Sequence, residues 1–188
     1  MKGKKLPWQG YCVRGVLAAL LGLGSAGAHA DRFGVQFGAG IGDHDLKKLD
    51  LGLVWDPGWQ WWHVGGFHFT VVGEGHVAYW HATPSNASAP GVWEFGITPM
   101  FRIIKDTGWI RPFFEAGPGV RLLSTVYVAP GRTVSTAFQF SETFGVGAQF
   151  GERQNYQAGV RFQHLSNAGI KRPNPGINFT QIYLQYNF

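Results

Sequence analysis

The sequence predicts an all-β fold, an eight-stranded antiparallel up-and-down outer-membrane β-barrel. Three observations carry the prediction. The N-terminus reads as an export segment. The rest of the chain falls into segments of about ten residues in which apolar residues alternate with small or polar ones. The connections between those segments alternate between short and long.

The export segment comes first. Lys2, Lys4 and Lys5 make a positive start, Val13 to Leu23 form an apolar stretch interrupted only by Arg14 and small residues, and Ala28-His29-Ala30 is an A-x-A cleavage site. Residues 1–30 are therefore expected to be a signal peptide and 31–188 the transmembrane barrel domain. The competing reading is a membrane anchor, for which the apolar run is too short. Cys12 is the single cysteine and leaves with the signal, so the mature chain has neither disulfide nor thiol chemistry.

Composition then excludes other classes. With 45% hydrophobic, 15% aromatic and 14% charged residues, the 188-residue chain is neither a disordered segment nor a coiled coil. The formal charge of +5 and the pI near 9.5 mislead. Four of the 16 basic residues (Lys2, Lys4, Lys5, Arg14) sit in the signal, leaving 12 against 11 acidic ones. No basic stripe remains, so no nucleic-acid partner is expected.

The strands are expected, in order, at 32–43, 46–55, 62–81, 91–104, 109–123, 137–151, 155–166 and 178–188. Beyond the signal no run of about 18 apolar residues exists, and frequent glycine interrupts helical periodicity. Asp56 to Trp61, Lys105 to Gly108 and Glu152 to Gln154 are short connections, read as periplasmic turns. Thr83 to Pro90, Ser124 to Thr136 and Asn167 to Ile177 are longer and rich in Pro, Ser, Asn or Gly, read as external loops. The first external connection, near Asp43 to Leu46, is short and departs from this pattern.

The faces follow from the two-residue period. In the fourth strand Trp93, Phe95, Ile97, Phe101 and Ile103 oppose Glu94, Thr98 and Arg102. In the fifth, Phe114, Ala116, Val120 and Leu122 oppose Arg111, Glu115 and Arg121; in the last, Ile182, Leu184, Tyr186 and Phe188 oppose Gln181, Tyr183, Gln185 and Asn187. A soluble sandwich would also alternate. Large aromatics on the apolar face, glycines and paired charges on the other, and a terminal aromatic at Phe188 favour the membrane. Eight strands enclose a bore that side chains fill, so a charge network of Arg102, Arg111, Glu115 and Arg121 is expected there rather than a pore. His68, Glu74 and His76 share one face of the third strand and are read as part of that network in preference to a metal site. Trp55, Trp59, Trp61 and Trp62 read as an interfacial belt.

The chemistry is expected where a polar group faces lipid. In the seventh strand Tyr156, Ala158, Val160 and Phe162 mark the outer face, and continuing by twos gives His164 and Ser166. Asn178 and Thr180 continue the outer face of the last strand. Glu142 interrupts Phe138, Phe140, Phe144 and Val146 in the sixth. If the turn at 152–154 sets 151 opposite 155, Glu142 falls directly opposite His164. A carboxylate facing hydrocarbon costs up to a few kcal/mol, depending on depth. The cluster is therefore either a nucleophile and base (Ser166, His164) aimed at a lipid ester, or a set of residues above the hydrocarbon edge that meets water.

The segment His164-Leu165-Ser166-Asn167-Ala168-Gly169-Ile170-Lys171, followed by Pro173-Asn174 and Gly176-Ile177, resembles the signature of the lipid A 3-O-deacylase (PagL) family. The resemblance implies an outer-membrane esterase that removes the ester-linked 3-hydroxyacyl chain at position 3 of lipid A, with Ser166 as nucleophile and His164 as base. It implies a critical Asn167 and an oxyanion-hole donor at Asn174, to which backbone N–H groups from Asn167 to Gly169 would add. No metal and no other cofactor are expected. Lys171 and Arg172 are candidates for contacts to lipid A phosphates, against the reading that they are merely solvated. The partner is lipopolysaccharide in the outer leaflet, and a homodimer is compatible with this reading.

One position departs from the family pattern. The triad acid of the family is a Glu two residues after the loop glycine; here that position is Asn178. An Asn carbonyl can hold the histidine tautomer but cannot stabilise the imidazolium by charge. Either Asn178 orients His164 with Glu142 assisting, or the enzyme is slow. Two other classes of function compete: a non-catalytic barrel acting in adhesion or membrane integrity, and a palmitoyltransferase-type barrel, which would need an acyl cavity inside the bore.

Overall fold

The computed structural model describes residues 32–83 and 91–188. The expected signal peptide, its cleavage point and residues 84–90 of the second external connection lie outside the described residues. Eight strands form the wall: β1 (Phe33–Gly42), β2 (Leu46–Trp55), β3 (Phe67–Ala82), β4 (Val92–Lys105), β5 (Ile110–Leu123), β6 (Phe138–Phe150), β7 (Tyr156–Ser166) and β8 (Ile177–Asn187). Each pairs antiparallel with its neighbours in the chain, and β1 pairs with β8 from Gly34 opposite Asn187 to Gly42 opposite Phe179. That last pairing closes the ladder, so every strand finds partners on both sides. In hydrocarbon an open edge would leave N–H and C=O groups with nothing to bond.

The pleat sorts the side chains as expected. Trp93, Phe95, Ile97, Phe101 and Ile103 are exposed, while Glu94, Thr98 and Arg102 are buried in the bore. The bore holds four buried cations (Lys48, Arg102, Arg121, Arg161) and four buried carboxylates (Asp50, Glu74, Glu94, Glu115). They are interlocked. Arg161 reaches Glu115 at 2.6 Å and Glu74 at 2.8 Å, and Arg102 reaches Glu115 at 2.8 Å. Lys48 and Arg121 share Glu94 at 2.8 and 2.9 Å. His76 bridges Asp50 at 2.8 Å and Glu74 at 3.2 Å. The void left among Asp50, His76, Arg121 and Arg161 is about 10 Å³, the space of one water, so these charges fill a core and do not line a channel.

Three sequence expectations are corrected. Strand 62–81 is two elements: a short strand Gln60–Val64 folds back on β3, with Trp61 opposite Phe69. Gly65 and Gly66 make the turn with φ of 61° and 79°, a conformation that glycine adopts without strain. The aromatic run Trp61–Phe69 hides that break. Arg111 lies at the bore's end, where its Nε donates to the Lys105 carbonyl at 2.6 Å, outside the network. His68 pairs with Asp106 at 2.6 Å, away from Glu74 and His76. The His68 hydrogen bond, with His63 nearby, holds the Asp106 carboxyl below the usual carboxylate range. Trp55, Trp59 and Trp61 are exposed and meet edge-on or tilted at 6.1–6.3 Å between rings, the aromatic rim expected at that end.

The other end is plugged. Leu46, Trp80, Ala82, Val92, Leu123, Leu165, Ile177 and Phe179 form a buried apolar cluster with Val128, Ala129 and Val134 from the Ser124–Ala137 connection. That connection carries its own hairpin, Tyr127–Ala129 against Arg132–Thr133, and folds into the mouth.

Glu115 holds two arginines and the Tyr183 hydroxyl, so Glu115→Ala leaves two buried cations short of a carboxylate. We expect it to destabilise the barrel by about 3–5 kcal/mol, measured as the shift in the denaturant midpoint in detergent. Coincident midpoints would mean that the network does not support the fold.

Candidate active site

β7 positions the first residues. His164 and Ser166 are half-exposed on its outer face, in line with exposed Val160 and Phe162. Leu165 between them is 1% exposed and locked in the apolar plug. On β8, Ile177 and Phe179 point into the same plug and hold Asn178 outward. The two strands that carry the candidate site are thus fixed from behind by packing.

The register places Glu142 of β6 and Asn178 of β8 on either side of His164, both as direct cross-strand neighbours. The sequence-inferred opposition of Glu142 and His164 is the one observed. Only one flank is bonded. His164 Nδ1 lies 2.7 Å from Asn178 Oδ1, a hydrogen bond that the imidazole donates. Glu142 is exposed, and among the described residues no hydrogen bond joins it to His164. Asn178 is held in turn by Asp43, whose Oδ2 accepts from the Asn178 side-chain amide at 2.9 Å and from its backbone N–H at 3.0 Å.

Ser166 Oγ accepts a long 3.5 Å contact from the Ala168 N–H. Among the described residues no hydrogen bond joins it to His164. Catalytic hydrogen bonds in ligand-free sites are often long and tighten around substrate.

The loop after Ser166 is built by Asn167, which is fully buried. Its side-chain amide donates to the carbonyls of Lys171 at 2.8 Å and Val134 at 3.2 Å, and its Oδ1 accepts from the Gly169 N–H at 3.0 Å. Its own backbone N–H donates to Asn174 Oδ1 at 3.0 Å. The N–H groups of Asn167 and Gly169 are therefore engaged inside the loop. The Ala168 N–H stays directed at Ser166, and the Asn174 NH₂ makes no hydrogen bond among the described residues. Lys171 and Arg172 are exposed at the loop's tip.

Two residues had no assigned role in the sequence reading. Gly176 has φ of 68°, and a Cβ there would come within 2.7 Å of His164 Cε1, so its backbone is the seat of the imidazole. Its place in the Pro-Asn-x-Gly motif was visible; its contact was not. Asp43 lies far from the site in the chain and reaches it only through the β1–β8 pairing. The residue after Gly42 (opposite Phe179) necessarily faces position 178, a signal readable only once closure is assumed.

An outward-facing histidine and serine on a small barrel, the imidazole tethered from the neighbouring strand, invite comparison with known proteins. The family model described as lipid A 3-O-deacylase (PagL) matches residues 47–187. The chain belongs to the lipid A 3-O-deacylase (PagL) family. It is 33% identical to a lipid A deacylase PagL of Bordetella bronchiseptica over 93% of this chain and 94% of that one. It is 32% identical to another from Pseudomonas aeruginosa, over 89% and 92%. The crystal structure of the outer membrane enzyme PagL superposes with a TM-score of 0.73 at 28% identity, covering 82% of this chain and 99% of that one. The protein is therefore an outer-membrane barrel, as its alternating faces predict.

The seat of the imidazole gives a test. Gly176→Ala drives a methyl into the His164 ring and demands a left-handed backbone of an L residue. We expect esterase activity to fall on the order of 10²-fold, with far-UV circular dichroism unchanged. Full activity in this variant would mean that the ring does not depend on that seat.

Proposed function

We propose that the protein is an outer-membrane esterase that hydrolyses the ester-linked 3-hydroxyacyl chain at position 3 of lipid A. The observation that supports this most is the tethered imidazole on the outer wall: its Nδ1 lies 2.7 Å from Asn178 Oδ1, beside an outward-facing Ser166. An imidazole donating from Nδ1 carries its lone pair on Nε2, the state that a general base needs.

The reaction runs in two halves. Lipid A moves laterally in the outer leaflet until an acyl chain lies along the wall near Phe138, Phe140 and Phe162. His164 Nε2 takes the Ser166 proton as Oγ attacks the ester carbonyl. The negative charge forming on the carbonyl oxygen is met by the Ala168 N–H, which is directed at Ser166, and by the Asn174 NH₂. Collapse breaks the bond to the sugar oxygen, which takes the proton from the His164 imidazolium. A water molecule then gives its proton to His164 and attacks the acyl-enzyme. The 3-hydroxy fatty acid leaves and Ser166 regains its hydrogen. Asn167 acts by holding the loop, and Lys171 and Arg172 face the phosphates from the loop tip.

Mass spectrometry of lipid A from cells expressing the protein checks the proposal. We expect the loss of one 3-hydroxyacyl chain with wild type and an intact lipid A with Ser166→Ala. Unchanged lipid A with the folded wild-type protein would sink it and favour the non-catalytic barrel. Asn174→Ala should lower turnover by about 10²–10³-fold, the usual cost of one oxyanion donor. Equal turnover would take Asn174 out of the oxyanion hole.

A further inference from the structure

We infer that Asp43 is the anionic member of the hydrolytic relay, a positioning residue that acts on His164 through the side chain of Asn178. The inference rests on the esterase reading above and supplies what that reading lacks, a carboxylate behind the base.

The argument is one of hydrogen-bond polarity. An ionised carboxylate only accepts. Asp43 Oδ2 stands 2.9 Å from the Asn178 side-chain nitrogen and 3.0 Å from its backbone nitrogen, so both must donate to it. The amide NH₂ is therefore turned toward Asp43, and the amide oxygen is left facing His164 at 2.7 Å. An amide oxygen also only accepts, so Nδ1 must carry a hydrogen, and in the neutral ring that leaves the lone pair on Nε2. Without the carboxylate the two ends of an Asn side chain are nearly equal in shape, and a flipped amide would donate to Nδ1 and force the hydrogen onto Nε2. That tautomer cannot accept the Ser166 proton. Asp43 thus selects the working tautomer from two bonds away. Its charge also polarises the amide when the imidazolium forms.

The local fold is shaped for this contact. Asp43 opens the single turn Asp43–Asp45 that joins β1 to β2. The preceding residue must be small. A Cβ on Gly42 would approach the Phe179 ring to 2.6 Å and the Asn178 carbonyl to 2.9 Å. Glycine lets the turn press against β8, where Asp43 extends the β1–β8 ladder with a side chain instead of a backbone carbonyl. On the other flank Glu142 is level with His164 but unbonded to it. Of the two carboxylates that bracket the imidazole, Asp43 is the one connected to it.

The experiment is a double-mutant cycle on purified, detergent-folded protein with lipid A micelles, reading release of 3-hydroxy fatty acid. It compares wild type, Asp43→Asn, Asn178→Glu and the double variant, with Ser166→Ala as the blank. Asp43→Asn keeps the shape and removes the charge. We expect its kcat to fall by roughly 10- to 10³-fold, within the ~10⁴ set by loss of a directly bonded triad acid, with KM within about twofold. Asn178→Glu alone places two carboxylates side by side, whereas the double variant has one bonded directly to Nδ1, so the double variant should exceed both single ones. A side chain that merely braced the turn would be harmful at 43 whatever stood at 178. Asp43→Asn with wild-type kcat, or a double variant no better than Asp43→Asn, overturns the relay while Ser166 dependence keeps the esterase reading. A wild type no faster than Ser166→Ala overturns the esterase reading itself. A second measurement needs no variant at position 43. Nitrogen-15 spectra of the histidines in wild type, with His164 assigned by His164→Gln, should report hydrogen on Nδ1; hydrogen on Nε2 overturns the relay.

Discussion

A barrel in hydrocarbon has one governing constraint: the ladder must close, and once it is closed the two-residue pleat decides which side every residue meets. In this chain that rule produces an inside-out protein. The wall faces outward with Phe, Trp, Ile and Leu, and the bore takes the charge. Among the described residues four cations stand against four carboxylates in the bore. Buried charges are tolerable only when each has partners, and Glu115 has two arginines and a tyrosine hydroxyl. The same rule makes polar residues on the outward face conspicuous. Glu142, His164 and Asn178 form one lateral row across three neighbouring strands, and the Asp43 turn extends that row past the end of β1. The row exists because the strands are in register, and the register exists because the ladder closes.

Catalysis on the outside of a barrel needs rigidity that lipid cannot supply. Here it comes from behind. The inward neighbours of the candidate site residues, Leu165, Ile177 and Phe179, belong to a plug completed by Trp80 and by Val128 and Val134 of the connection 124–137. Asn167 ties that connection to the Ser166 loop through the Val134 carbonyl. One apolar cluster therefore seals the mouth and sets the angle of His164 and Asn178. Substitutions in the plug should act on chemistry as well as on stability.

Much of this was legible in the sequence because period-two patterning is a local signal. The eight barrel strands, their inward and outward faces and the Glu142–His164 opposition follow from alternation and from one short turn, Glu152 to Gln154. The misreadings have separate causes. The Trp61–Phe69 stretch is apolar on both sides of its turn, so composition did not reveal that Gly65–Gly66 reverses the chain. Arg111 alternates correctly but sits too near the strand end to reach the bore. The hairpin of Tyr127–Ala129 and Arg132–Thr133 looks like an ordinary Pro-Gly loop, since what makes it structural is the open mouth that it fills. Asp43 is the clearest case. Its partner is 135 residues away, and no window on the sequence holds both.

That distance bears on how a neutral residue can stand where the family resemblance places an acid. A carboxylate touching the imidazole orients it and balances its charge with a single side chain, but must sit at position 178, close to the lipid. An amide backed by a carboxylate divides the work: Asn178 contacts the ring, and Asp43 fixes which end of Asn178 does so. The charge then stands in the turn that joins β1 to β2 and not on a wall strand, and near the barrel's rim the cost of facing hydrocarbon is lower. The compromise is electrostatic, since an anion one amide removed attracts the imidazolium less than one in contact. It is structural as well, because tautomer control now depends on β1 and β8 staying paired to their last residues. In the proposed relay the tautomer of the base thus rests on the closure of the barrel.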